Sequence, residues 1–127
     1  MNRLWLVLAA VSGFASVALG AFGAHALKDS LDEYGKSVYE TAVLYQMFHS
    51  SALLTVGILQ NLSRRISLAP AGWLFCAGIV LFSGTLYLLA ITGARWLGAI
   101  TPFGGVSFLL GWAWLVYAFI TSGKERP

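Results

Sequence analysis

From Val38 to Leu62 the chain runs for 25 residues with one formal charge, Glu40. As a helix this stretch would rise roughly 37 Å, more than the ~30 Å hydrocarbon core of a bilayer. Its first half, Tyr39-Glu40-Thr41-Ala42-Val43-Leu44-Tyr45-Gln46-Met47-Phe48-His49, holds a carboxylate, two phenols, an amide and an imidazole. Such groups are costly in hydrocarbon and normally face protein or trapped water. The segment therefore demands other apolar elements around it. The rest of the chain supplies them in runs of about 4–26, 68–91 and 96–120. Only 10% of the residues are charged and mean hydropathy is +0.77, against roughly 25% charged in soluble domains. So few charges cannot coat a water-facing surface, so most of the surface must face lipid.

The expected architecture is all-α: a four-helix transmembrane bundle forming one integral membrane domain over residues 1–127, with helices near 4–26, 38–62, 68–91 and 96–120. The first run resembles a signal peptide, but signal cores are about 7–15 residues long, so a retained span is the better reading. Ala9, Ser12, Gly13, Ser16, Gly20, Gly23 and Ala24 share one arc of its helical wheel. Such a stripe suits close helix packing, within the chain or against a second copy; a glycine-lined conduit is the functional alternative. Leu27 to Val38 is hydrophilic. Ser30…Glu33 and Ser37…Glu40 each fit a capping box. A short interfacial helical segment broken near Gly35, then a span from about Val38, is expected; one long helix from Leu31 is the alternative. At the fourth span, Thr101-Pro102-Phe103-Gly104-Gly105 predicts an irregular entrance. A tight turn is the plain reading there, and exposed backbone groups for an ion the sharper one.

Depth counting brings the polar groups together. His25 lies level with Glu40 in an antiparallel hairpin, so a His25–Glu40 hydrogen bond is expected, as a helix staple or a proton-carrying pair. His49 lies roughly 15 Å deeper at about 1.5 Å per residue. Tyr45, Gln46, His49, Ser83 and Tyr87 are expected to form one internal polar patch, with Thr101 and Pro102 close by. A hydrogen-bond lattice is the structural reading, and a substrate or proton site the functional one.

Several chemistries lack support. Two histidines and one cysteine give no recognisable zinc spacing. His25 and His49 differ too much in depth to ligate one haem. No nucleophile–base–orienter set or phosphate loop is present, and no cofactor or metal is expected. The +3 net charge is dispersed, which excludes a nucleic-acid surface. Cys76 lies inside an apolar run and is expected to be an inert buried thiol. Arg3, Arg64, Arg65, Lys124 and Arg126 fall on one side of four spans, and Lys28, Lys36 and Arg95 on the other. That bias favours both termini in the cytoplasm.

Gly20-Ala21-Phe22-Gly23-Ala24-His25, Glu40 to His49, Phe82-Ser83-Gly84-Thr85-Leu86-Tyr87, Leu97 to Gly105, and Gly111-Trp112 occur in this order over nearly the whole chain. Together they resemble the family called domain of unknown function 423, which is similar to the eukaryotic transmembrane protein 256 group. The resemblance implies a small four-helix protein of the bacterial inner membrane, with a link to membrane integrity and stress tolerance and no established reaction. It falls on His25, Glu40, Tyr45, Gln46, His49, Tyr87 and the Thr101–Gly105 turn. Ser50-Ser51 are more polar than the alanine or leucine usual there, which points to a wetter pocket. A non-enzymatic protein supporting the envelope through a lipid, protein or homo-oligomeric partner is the first functional expectation. A small proton-coupled transporter using His49, Tyr45 and Glu40 is the second, and a membrane enzyme or redox subunit the third.

Overall fold

The computed structural model describes residues 3–63 and 65–124, the last two by backbone only. Arg64, Arg126, the Lys124 side chain and most of the polar tail, which entered the charge bias, lie outside this description. Four helices are long and apolar enough to cross a membrane: Leu4–His25, Glu33–Leu62, Ala69–Thr92 and Arg95–Ser122.

The first helix ends where the Ala26 N–H bonds back to Phe22 O. Turns follow, with the N–H groups of Ser30 and Leu31 both donating to Leu27 O. The expected interfacial helical segment and the start at Val38 are corrected here, because the second helix is continuous from Glu33. Neither capping-box serine starts it. Asp32 does, accepting from the Gly35 N–H at 2.7 Å, so the glycine expected to interrupt the helix lies within its first turn. At the other end Gln60 fastens the loop to the third helix. Its Oε1 accepts from the Leu68 N–H and its Nε2 donates to Ser63 O and Ile66 O.

The third span is α-helical from Ala69, widens to a π-helix over Ile79–Gly84 and returns to α over Thr85–Thr92. Gly93 ends it at φ +73°, the one positive φ among the described residues, where a Cβ would be strained. A 3-10 turn over Arg95–Ala99 leads into the last helix, Thr101–Lys124. Pro102 stands in its first turn, where the missing N–H has no helical acceptor to lose. The irregularity therefore lies before Thr101. Gly104 and Gly105 are in regular helix, which corrects the expectation of unusual dihedrals there.

The first helix packs chiefly on the second and the third on the last, with the second helix joining the two pairs. Gly20 and Gly23 are where the first helix meets the second. A Cβ at Gly23 would stand 2.3 Å from the Tyr39 ring, whose hydroxyl donates to Leu19 O at 2.5 Å. The second helix covers the stripe at Gly20 and Gly23, whereas Gly13 has nothing within 4 Å and Ala24 is exposed. The stripe thus packs within the chain along part of its length. Elsewhere the first helix shows broad apolar residues, such as Phe14 at 79% exposure, as a lipid-facing surface requires. One core centres on Trp5, Leu53, Phe75 and Phe108, with Cys76 packed against it. A smaller one holds Ala42, Leu86, Leu89 and Leu97.

A candidate site of two polar clusters and a lateral cleft

The first polar cluster links three helices. Gln46 Nε2 donates to Ser12 O at 3.1 Å and to Ser12 Oγ at 3.3 Å. Its Oε1 accepts from the Tyr87 hydroxyl at 2.6 Å. Ser50 Oγ lies 2.6 Å from both Ser12 Oγ and Gln46 O. Ser12 is near the middle of the Leu4–His25 helix, so this cluster sits close to the bilayer midplane. Tyr87 also packs edge-on against Tyr39. The amide works in both directions at once, which is why a glutamine suits the position.

Interhelical hydrogen bonds in membranes average about 0.6 kcal/mol each. Replacing Gln46 with leucine removes three and leaves the Tyr87 hydroxyl unpaired. The variant should still assemble, with a loss of about 1–2 kcal/mol. Adding Tyr87→Phe should cost less than it does in the native background, since the partner is already gone. Thermal unfolding of the two singles and the double in detergent checks both statements; strict additivity would show that the bond contributes nothing.

The second cluster surrounds His49, which is 3% exposed. Its ring stacks on Phe108 with centroids 3.6 Å apart and planes 9° apart. Nδ1 lies 2.8 Å from Tyr45 O, and Nε2 lies 3.0 Å from Trp112 Nε1. An indole nitrogen only donates, so His49 Nε2 accepts and Nδ1 carries the hydrogen. The surroundings thus fit the neutral ring. A second proton on Nε2 would face the indole N–H and require Trp112 to withdraw.

The expected single patch is therefore two. Gln46 and Tyr87 do pair. Ser83 instead donates to Ala42 O at 2.8 Å and stitches the π-helical turn to the second helix. Thr101 meets Thr85, hydroxyl to hydroxyl, at 2.7 Å. The buried face of the second helix runs through Ala42, Gln46, His49, Leu53 and Val56, which turns Tyr45 to 40% exposure. The expected His25–Glu40 bond is absent among the described residues, and both side chains are exposed. Tyr39 takes the place against the first helix, and Glu40, about 100° further round, turns away. Ser12, Thr85, Phe108 and Trp112 were not anticipated as site residues, and Ser50 only as a mark of a wetter pocket. Trp112 carried a legible signal: it lies mid-helix, away from the interfaces where tryptophan collects, so its N–H needs an internal acceptor.

Between the second helix, the π-helical turn and the last helix lies a lateral cleft of about 680 Å³. Tyr45, His49, Phe82, Phe108 and Trp112 form its aromatic wall, and Pro102 and Gly105 lie along it. No group of three or more potential metal ligands occurs among the described residues.

A profile described as "Protein of unknown function (DUF423)" matches residues 19–105. A "UPF0382 membrane protein" of Staphylococcus epidermidis is 47% identical over 116 residues, covering 91% of this chain and 94% of the relative. "UPF0382 membrane protein YwdK" of Bacillus subtilis is 44% identical over 119 residues, covering 93% of this chain and 97% of the relative. No solved structure matches. With the family profile spanning most of its length and bacterial relatives matching nearly end to end, this four-span membrane protein belongs to the DUF423 family.

Proposed function

We propose that the protein is a non-enzymatic helix bundle of the bacterial plasma membrane, with both termini cytoplasmic, that supports envelope integrity by holding a lipid or protein partner. The observation that carries this reading is the setting of His49. Both ring nitrogens are engaged by fixed groups and one ring face is covered by Phe108. A proton carrier needs a ring free to exchange partners, and this one is clamped by two helices. The Gln46 cluster supports the same reading, because each of its side chains bonds within the bundle. Arg3, Arg64, Arg65, Lys124 and Arg126, which fall on one side by counting four spans, against Lys28, Lys36 and Arg95 on the other, support the orientation.

Purified protein in liposomes should leave an imposed pH gradient and an entrapped cationic dye at the leak rate of protein-free vesicles. Flux well above that rate that falls in His49→Ala would overturn the reading in favour of transport.

A further inference from the structure

We infer that the lateral cleft beside His49 binds a flat, carbonyl-bearing ring dissolved in the bilayer, of the isoprenoid quinone class, with the Tyr45 hydroxyl donating to its carbonyl. Tyr45 lines the cleft and packs on Phe82, ring centroids 4.7 Å apart. Its hydroxyl has no hydrogen-bond partner among the described residues, whereas the neighbouring Gln46, His49, Ser50 and Tyr87 side chains all bond. Tyr45 adjoins Gln46, whose contact with Ser12 marks the middle of the first helix. An unpaired donor at that depth is unfavourable, since water is not there to satisfy it.

Depth selects the occupant. Half of a ~30 Å hydrocarbon core separates this level from the interface, so phospholipid ester groups do not reach it. Acyl chains do, but they offer only methylenes. A molecule that brings an acceptor to mid-depth must be almost wholly apolar with an isolated carbonyl or ether. The wall narrows the choice further. Phe48, which is exposed, and Phe82 and Trp112, which are partly exposed, put aromatic surface on the cleft, which suits a planar ring by offset or edge-on stacking. The volume of about 680 Å³ accommodates such a ring with the start of an isoprenoid tail. The π-helical turn is the second independent feature. It carries Phe82 into the cleft, and such turns recur at functional positions in helices. No redox step is assigned; the inference concerns binding and stands apart from the transport question, because a bundle could hold a quinone whether or not it moved solute.

The test is a titration of decylubiquinone into protein in phosphatidylcholine nanodiscs, read by tryptophan emission. A saturable quenching component is expected above the linear collisional background. Tyr45→Phe, which deletes only the hydroxyl, should raise its midpoint threefold to tenfold, the worth of about one hydrogen bond. Val106→Trp fills the cleft from an exposed position on its rim and should abolish the component. Phe14→Leu, on the lipid face of the first helix, should leave it unchanged. Linear quenching alone in the native protein, including the case where a second copy occupies the cleft, would overturn the inference. So would a saturable component indifferent to Tyr45→Phe.

Discussion

Gly104→Ala should destabilise the bundle more than any other single-methyl addition at a described glycine. The added Cβ would lie 2.3 Å from Phe82 N, 2.7 Å from Leu81 C and 2.8 Å from Phe82 Cα. These are backbone atoms, and no rotamer change can move them. Gly23, Gly72 and Gly78 are also crowded, but by aromatic side chains that have some room to turn. At Gly104 the last two helices must separate, or the π-helical turn must deform, and either loosens the contact beside Ser83 and Phe108. Overpacking commonly costs about 1–3 kcal/mol, and a backbone clash belongs at or above the top of that range. Gly105→Ala is the internal control. Its Cβ would meet only the Phe82 ring at 3.8 Å, ordinary contact, and replacing a mid-helix glycine gains about 0.5–1 kcal/mol. Melting in detergent, followed by the monodisperse fraction, should show Gly104→Ala well below the native protein and Gly105→Ala level with it or above. Equal melting of the two variants would mean that the third and last helices do not approach as described.

His49→Ala should cost about 2–4 kcal/mol, from lost packing in the first core and an orphaned indole donor. The ring touches Phe75 as well as Phe108, with centroids 5.5 Å apart, so its removal leaves a void between helices as well as a broken bond. Trp112→Phe separates the two contributions. It keeps most of the ring volume and removes the N–H, and should cost about 1 kcal/mol or less. In the double variant the two losses should fall short of their sum. The measurement is again the unfolding midpoint of each protein in one detergent. A His49→Ala variant that melts with the native protein would show that the imidazole is retained for something other than holding the helices together.

Much of this was legible from composition and spacing. Runs of about 20 apolar residues specify spanning helices because lipid leaves the backbone no other partner, and depth counting placed Gln46 and Tyr87 in one internal patch without pairing them. What stayed hidden depends on phase. A helical wheel fixes which residues share a face but not which face turns inward, and of the neighbours Tyr45 and Gln46, both expected in the internal patch, the buried arc takes Gln46 and leaves Tyr45 exposed. The π-helical turn is invisible to a single period of 3.6 residues, so Ser83 within it was expected inside but beside His49, whereas it bonds to Ala42 O. Two competing capping boxes concealed a third start at Asp32, whose carboxylate is a better acceptor for the exposed N–H groups than either serine. The Thr101–Gly105 glycines were read as conformational devices because sequence gives no measure of how near another backbone comes.

The widened turn over Ile79–Gly84 also bears on how this span tolerates length variation. A π-helical turn amounts to one surplus residue inside an α-helix. Loss of a single codon there lets the turn close to α while the faces before and after keep their orientation. The same loss a few turns away would rotate every later side chain by about 100°, carrying Leu86 and Leu89 out of the core. A one-residue deletion in this helix should thus be tolerated best in the stretch that forms the cleft wall, where it would reshape the surface around Phe82 and spare the scaffold.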